Sequence, residues 1–197
     1  YYFEEVYNVI PLTIKDIRLG ADRTAEIVRG MRNFSVSDKQ AWESFDIHKS
    51  IETTLILLKN IFKNRIEISK TFAENLPKIQ CLPGKINQIF MNIVKNAIDA
   101  IPDKGNIQIT TSFDENYVRI SFLDNGTGID ESIKSKLFDP FFTTKQVGKG
   151  VGLGLSITYG IIKEHNGTID VKSQPGKGSE FIIKLPIKQK EQIINNE

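Results

Sequence analysis

The sequence predicts an α+β fold: a two-layer α/β sandwich in which helices cover a mixed, mostly antiparallel sheet, preceded by a long helix. Three observations support this fold class. Apolar residues recur three or four apart over residues 12–34, 47–62 and 85–101, which is typical of amphipathic helices. Shorter runs alternate apolar and polar residues, as strands with one buried face do. Most of these strands follow one another across short turns, which favours antiparallel pairing in a two-layer architecture.

Composition places the chain among ordinary globular proteins. It has 197 residues, 40% hydrophobic and 25% charged, with a formal net charge of +2; these values exclude collagen-like, low-complexity and wholly disordered chains. No basic run suggests a nucleic-acid or membrane surface, and no apolar stretch reaches the roughly 18 residues of a membrane span. The single cysteine, Cys81, excludes an internal disulfide and fits a reducing compartment. Because the sequence starts with Tyr1 rather than Met, we expect a piece of a longer protein.

The first predicted element is a helix over residues 12–34, with Pro11 near its start. Its apolar stripe needs partner helices, since a lone helix has nothing to bury the stripe against. Packing on its own domain is the alternative. The stripe consists of Ile14, Ile17, Ala21, Thr24, Val28 and Met31. Residues 35–45 lose this period and are predicted to form a linker.

The second domain is predicted over residues 46–187, with six strands and three or four helices. Asp46 is a suitable cap for its first helix. Pro83-Gly84 interrupts the chain before the helix of residues 85–101, and Asn166-Gly167 ends a last helix of residues 153–165. The predicted strands are residues 67–72, 78–82, 107–113, 117–123, 168–173 and 179–187. Residues 188–197 are polar and are predicted to form a frayed tail.

A polar stripe runs along the helix of residues 85–101 beside its apolar stripe. It consists of Gln88, Asn92, Asn96 and Asp99, spaced four, four and three apart. Asparagine is a mediocre helix former, so two of them in mid-helix indicate a function. That function would be a row of side-chain oxygens directed at phosphates and Mg²⁺. A solvated polar face is the alternative.

Three further motifs follow in the chain. Asp124-Asn125-Gly126-Thr127-Gly128 ends a strand with a carboxylate that could accept a hydrogen bond from an exocyclic amine; an ordinary turn is the alternative. Residues 138–145 place two adjacent phenylalanines before Lys145, and core packing is the alternative for the phenylalanines. Residues 148–154 carry glycine at every second position and lead into a helix, where backbone N–H groups favour an anion. A flexible surface loop is the alternative for this last motif.

In this combination and order, the motifs resemble the ATP-binding domain of sensor histidine kinases. These kinases belong to the wider group with the Bergerat nucleotide fold, which includes gyrase B-type ATPases and MutL-type repair proteins. The resemblance covers, in order, the N box, the G1 box, the F box, the G2 box and a third glycine motif at residues 88–99, 124–128, 138–142, 148–154 and 176–179. Residues 12–34 resemble the second helix of the family's dimerisation and phosphotransfer hairpin.

The resemblance implies an ATP-dependent protein histidine kinase that uses ATP and Mg²⁺. It implies that Asn96 coordinates Mg²⁺, that Asn92 contacts the metal–phosphate region and that Lys95 reaches a phosphate. Asp124 would accept a hydrogen bond from the adenine amino group, Gly126 and Gly128 would leave room for the base, and Ser179 would lie near it. Residues 138–152 would form the ATP lid. Its phosphate-neutralising groups would be Lys145 and the backbone of Gly150, Val151, Gly152, Leu153 and Gly154.

Two positions depart from related patterns. Asn92 stands where the hydrolytic relatives carry a glutamate as a base for water, which favours transfer to a protein over hydrolysis. Asp99 stands where many histidine kinases have Lys or Arg, so a phosphate contact from that position is not implied. The alternatives to a histidine kinase are a serine kinase or ATPase of the same nucleotide fold, and a degenerate kinase that serves as a dimerising or sensing scaffold.

The sequence contains two histidines, His48 and His165, and neither lies in the family's phosphoacceptor pattern. We interpret both as structural; His165 ends a helix, where its partial positive charge suits the helix dipole. We therefore expect the acceptor helix to precede residue 1, and this chain to bind ATP without phosphorylating itself. The resemblance also implies a homodimer through residues 1–34, a response-regulator receiver domain as partner, and a cytoplasmic location, with any membrane anchor in an upstream segment.

Overall fold

The computed structural model describes residues 41–145 and 150–189, together with the single position Ile14. These residues form seven strands and four helices. In chain order they are β1 (Glu43–Phe45), α1 (Ile47–Phe62), β2 (Ile66–Thr71), β3 (Ile79–Cys81), α2 (Pro83–Ala100), β4 (Gly105–Phe113), β5 (Tyr117–Asp124), α3 (Glu131–Lys134), α4 (Gly154–Glu164), β6 (Thr168–Gln174) and β7 (Gly178–Pro186). The predicted amino-terminal helix, with the dimer expected through it, and most of the predicted tail lie outside the described residues.

A five-stranded sheet forms one layer, in the order β2-β4-β5-β7-β6. β2 and β4 are parallel, and the other neighbours are antiparallel. The β4–β5 turn is closed by Asp114, whose Oδ1 accepts hydrogen bonds from the backbone N–H groups of Asn116 and Tyr117 at 2.9 and 2.8 Å. The predicted mixed, mostly antiparallel sheet is confirmed; two of its three antiparallel pairs, β4–β5 and β6–β7, are hairpins.

β1 lies within the segment that the sequence pattern assigned to a linker. Its three residues pair antiparallel with β3, so that Phe45 lies opposite Ile79. The linker prediction was therefore wrong for Glu43–Phe45, and the described residues contain this strand in addition to the six predicted over residues 46–187. A strand this short has too few residues to show alternation, and it is stabilised by pairing with residues more than thirty positions away.

The helices pack on one face of the sheet, with α2 between α1 and α4. α1 begins where predicted, because the Asp46 side chain accepts a hydrogen bond from Lys49 N at 3.1 Å. α2 begins at Pro83, two residues earlier than predicted, because a proline in the first turn lacks an N–H that would have no helical partner there. The inward face of α2 is fully buried; it consists of Ile86, Ile89, Phe90, Ile93, Val94, Ala97 and Ile98. Phe90 packs against Phe122 of β5, with ring centroids 5.7 Å apart.

Both histidines have structural partners. His165 is completely buried at the end of α4; its Nδ1 donates to Ile161 O at 2.7 Å, and its Nε2 accepts from Leu82 N at 3.0 Å. Burial lowers the pKa of His165, which keeps the ring neutral in this role. The ring of His48 stacks on the ring of Phe72, with the two ring centroids 4.3 Å apart. These contacts support the interpretation of both histidines as structural, but the positive charge expected of His165 at the helix end was wrong, because a ring that accepts a hydrogen bond at Nε2 is neutral.

The single cysteine closes the small ladder formed by β1 and β3. Cys81 is fully buried, and this burial, followed by the nearby charge of Glu43, raises the pKa of its thiol to about 12. Of the helices that the structure describes, none is long and apolar enough to cross a membrane.

Candidate functional site

A cleft of about 520 Å³ lies between the polar face of α2, the end of β5 and the segment that leads into α4. All but one of the residues implied by the resemblance line it. They are Asn92, Lys95, Asn96, Asp124, Gly128, Lys145, Gly150, Val151, Gly152, Leu153, Gly154 and Ser179. The exception is Gly126. Residues as far apart in the sequence as Asn92 and Ser179 therefore meet in one place.

The floor of the cleft is built on residues 124–128 and 174–179, where β5 ends and β6 turns into β7; of these, Asp124, Thr127, Gly128 and Ser179 line the cleft itself. Asp124 is 2% exposed, and its Oδ1 accepts a hydrogen bond from Gly126 N at 2.8 Å. Burial raises the pKa of Asp124, while the backbone N–H groups of Gly126 and Ser179 oppose this by stabilising the carboxylate. A carboxylate has capacity for about four hydrogen bonds, so Asp124 can accept a further one from a donor in the cleft.

Gly126 and Gly128 must be glycine because neighbouring backbone atoms leave no room for a Cβ. Gly128 has φ of +70°, and a Cβ there would collide with the carbonyl of Gln174. A Cβ at Gly126 would lie 2.5 Å from the carbonyl oxygen of Ala100, at the end of α2. This corrects the expectation for both glycines: their missing side chains make room for the backbone of Ala100 and Gln174 rather than for a base, and Gly126 does not line the cleft. No steric rule visible in the sequence could distinguish these two uses of glycine.

The polar face of α2 forms a second wall. Asn92 Nδ2 donates to the carbonyl of Gly154 at 3.0 Å and to Thr158 Oγ1 at 3.3 Å, so this amide connects α2 with the first turn of α4. Lys95 is exposed at the edge of the cleft. Asn96, one turn further along, directs its Oδ1 toward the ammonium of Lys145 at 3.4 Å. Asn92 and Asn96 therefore face the cleft as the four-residue spacing predicts.

The ammonium group of Lys145 lies against this wall. Lys145 Nζ is 2.7 Å from Asp99 Oδ2, and the two side chains are 35% and 33% exposed. The amide oxygen of Asn96 and the carboxylate of Asp99 are hard oxygen donors, which suit Mg²⁺. Among the described residues, no group of three His, Cys, Asp or Glu side chains could hold a metal ion. A divalent cation at Asn96 would therefore need oxygen ligands from another molecule, such as the phosphates of a nucleotide.

The described parts of the predicted lid, residues 138–145 and 150–152, are joined by a backbone hydrogen bond. Phe141 N donates to Gly152 O at 3.0 Å, and both residues have positive φ, 67° and 75°. A phenylalanine in this region is uncommon, and such outliers cluster at ligand clamps and switch regions. The two adjacent phenylalanines have different surroundings: Phe142 lines the cleft, while Phe141 is 61% exposed to solvent. Gly148 of the glycine motif lies outside the described residues.

The lid leads into α4, whose first turn faces the cleft through Gly154, Leu155 and Ile157. Leu153 precedes this helix and gives no side-chain capping hydrogen bond. The first N–H groups of a helix have no partner within it and carry the positive end of its dipole. The predicted anion preference therefore belongs to a helix of 11 residues that opens onto the cleft.

Sequence reasoning missed the apolar wall of the cleft. This wall includes Ile129, Ile133, Leu137, Phe142 and Phe181. The four-residue spacing of Ile129, Ile133 and Leu137 was the available signal, but it falls in a glycine-rich region with weak periodicity. Such a wall can bury a planar aromatic ligand beside the Asp124 carboxylate. Asp99 was recognised as polar, but its pairing with Lys145 depends on how the lid lies over α2.

Residues 82–189, more than half of the chain, match the family model described as histidine kinase-, DNA gyrase B- and HSP90-like ATPase. The chain is similar to sporulation kinase E of Bacillus subtilis (strain 168), with 42% identity over 127 residues that make up 64% of this chain and 17% of that protein. It spans between 17% and 36% of the length of the first curated relatives that it matches.

Two solved structures show the same fold. The catalytic domain of the histidine kinase ThkA superposes with a TM-score of 0.66 at 34% identity, covering 73% of this chain and 96% of that one. The complex of ThkA with the response regulator protein TrrA superposes with a TM-score of 0.71 at 30% identity, covering 89% of this chain and 50% of that one.

Proposed function

This chain belongs to the histidine kinase-, DNA gyrase B- and HSP90-like ATPase family, within its sensor histidine kinase branch, and we propose that it is the catalytic part of such a kinase. It binds ATP with Mg²⁺ in the cleft and transfers the γ-phosphate to a histidine outside this sequence. One observation carries the proposal: a single cleft joins a buried carboxylate, an apolar wall, a row of amide oxygens and an uncapped helix start.

Each end of the cleft has its own task. At the floor, the Asp124 carboxylate accepts a hydrogen bond from the adenine amino group. Guanine carries a carbonyl at that position, which cannot donate a hydrogen bond, so the site prefers adenine. Ser179 is 3% exposed and pairs with Asp124 across the β5–β7 ladder, so it lies beside the base. Asn96 holds Mg²⁺ through its amide oxygen, and Asn92 and Lys95 lie along the phosphates. When bound, Mg²⁺ neutralises charge on the phosphate oxygens.

The phosphates extend toward the lid. Lys145 and the backbone N–H groups of residues 150–154 neutralise them, and the start of α4 adds the positive end of its dipole. Asn92 is neutral and already hydrogen-bonded to Gly154, so it cannot take a proton from water. This supports transfer to a protein side chain rather than hydrolysis.

The proposed partners follow from the branch of the family. One similar solved structure contains ThkA with a response regulator, so we propose a response-regulator receiver domain as the final phosphate acceptor. We further propose a homodimer through the apolar stripe of residues 1–34, and a cytoplasmic location for this part of the protein. Because His48 and His165 are both packed in structural contacts, labelled ATP should leave no acid-labile label on this chain.

The test measures ATP affinity calorimetrically with Mg²⁺ and with a chelator. Asp124→Asn should weaken binding by about 100-fold, because a charged hydrogen bond to a buried acceptor contributes about 1.5–3 kcal/mol. Asp103→Asn is the matched control, since this exposed residue lies in the turn after α2, outside the cleft. Wild-type protein that binds no ATP, or an Asp124→Asn variant that binds it normally, would overturn the proposal. So would stable label on either histidine.

A further inference from the structure

Asp99 and Lys145 connect α2 to the lid at the point where the phosphates are proposed to bind. Asp99 follows Asn96 by three residues, which places both on the same face of α2. The ammonium of Lys145 is 2.7 Å from Asp99 Oδ2 and 3.4 Å from Asn96 Oδ1. The lid lysine therefore extends to α2, and its charge lies next to the residue proposed to hold the metal.

Two contacts and one close neighbour position Lys145 along its length. Its backbone N–H donates to Thr143 Oγ1 at 3.1 Å, which shapes the turn before it. Its stem passes Gly150, where an added Cβ would lie 3.2 Å from Lys145 Cδ. Its ammonium ends on the Asp99 carboxylate. A long, flexible side chain loses much of its rotamer freedom in this arrangement, so the ammonium has a defined position before any nucleotide arrives.

The charges suit this position. An unpaired Asp99 carboxylate would repel a triphosphate, whereas the pair with Lys145 has no net charge. An ammonium has three N–H donors; Asp99 and Asn96 accept two of them, which leaves one for a phosphate oxygen. An ion pair that is one third exposed contributes little to folding stability. We therefore infer that this pair acts in ligand binding.

We propose that Asp99 is a positioning residue for the proposed ATP-binding function: it holds the lid lysine beside Asn96, so that the phosphates meet a cation already in place. The inference rests on that function. Asp99 thereby makes the site selective for nucleotides with more than one phosphate. The lysine remains paired with Asp99 when ATP is bound; it does not have to be released.

The experiment titrates Mg·ATP and AMP separately into wild type and variants. Asp99→Asn should weaken ATP binding by about tenfold, the effect of one charge-assisted hydrogen bond, and AMP binding by less than twofold. Lys145→Met should weaken ATP binding at least as much, because it removes the phosphate donor and leaves the Asp99 carboxylate unpaired; the double variant should bind ATP no more weakly than Lys145→Met does. Asp99→Glu keeps the carboxylate and should restore most of the ATP affinity.

Glu52→Gln is the matched control, because it breaks a similarly exposed ion pair, with Lys70 at 2.6 Å, outside the cleft. Thermal unfolding of each variant shows whether it is folded. If Asp99→Asn binds ATP as well as wild type does, or loses ATP and AMP affinity equally, the positioning role is wrong. If it binds ATP more tightly, Asp99 restrains the lysine instead, and the proposal is overturned. Wild type that binds neither nucleotide overturns the proposed function first.

Discussion

The floor of the cleft and the lid are held in different ways. The floor is fixed by backbone: Thr127 N donates to Ala100 O at 2.9 Å, and Gly176 N donates to Thr127 O at 2.8 Å. The lid reaches α2 through side chains, chiefly the partly exposed pair of Lys145 and Asp99. The comparison indicates that the end proposed to recognise the base has one geometry, whereas the end proposed to hold the phosphates can adjust.

The strongest test of this difference is a methyl group added to the floor. Gly128→Ala should lower the free energy of unfolding by about 3 kcal/mol or more, because its positive φ and the Gln174 carbonyl both exclude a Cβ. Denaturant unfolding measures the change. Gly160→Ala, in α4, is the control: nothing lies within 4 Å of its Cβ, and helix propensity should raise stability by up to about 1 kcal/mol. A Gly128→Ala variant as stable as wild type would refute a backbone-limited floor.

A smaller effect should appear on acidification, through the far end of the helix that begins at the lid. Burial lowers the pKa of His165 below its unfolded value of about 6.5. Between these two pKa values the unfolded state binds more protons than the folded state. The contribution of neutral His165 to the free energy of unfolding is therefore fully present above pH 6.5 and falls as the pH drops below it. The loss should be about 1.4 kcal/mol for each unit of pKa difference.

Denaturant unfolding between pH 7.5 and 5 measures that slope. In His165→Gln the amide can still accept a hydrogen bond from Leu82 N, and the part of the slope that belongs to His165 should disappear. An unchanged slope in this variant would assign the acid sensitivity to other groups.

The smallest expected effect is a change in lid dynamics on nucleotide binding. Hydrogen exchange at Thr143–Lys145 and Gly150–Gly152 should slow when Mg·ATP is added, since little buried apolar area opposes backbone entropy there. The amides of Gly126 and Ser179, in the floor, should change less. Equal protection of both regions without nucleotide would remove the distinction between them.

The sequence predicted much of this architecture because its strongest signals are local. The hairpin of β4 and β5 was found within two residues of its bounds, and the polar stripe of α2 correctly placed Asn92 and Asn96 on the cleft. What could not be predicted depends on distant partners. β1 exists through β3, Gly126 is required by the end of α2, and the pairing of Asp99 with Lys145 joins residues 46 positions apart.

Cys81 can report on the transient separation of the strands that bury it. It is the only thiol in the sequence and is buried in β3 with a pKa of about 12. The reactive form of a cysteine is the thiolate, which is therefore scarce at neutral pH in the folded state. A thiol reagent can modify Cys81 only while the surrounding strands are apart, so the modification rate counts opening events. A ligand that binds the closed form slows that rate in proportion to its occupancy, and its affinity can then be read without an introduced label.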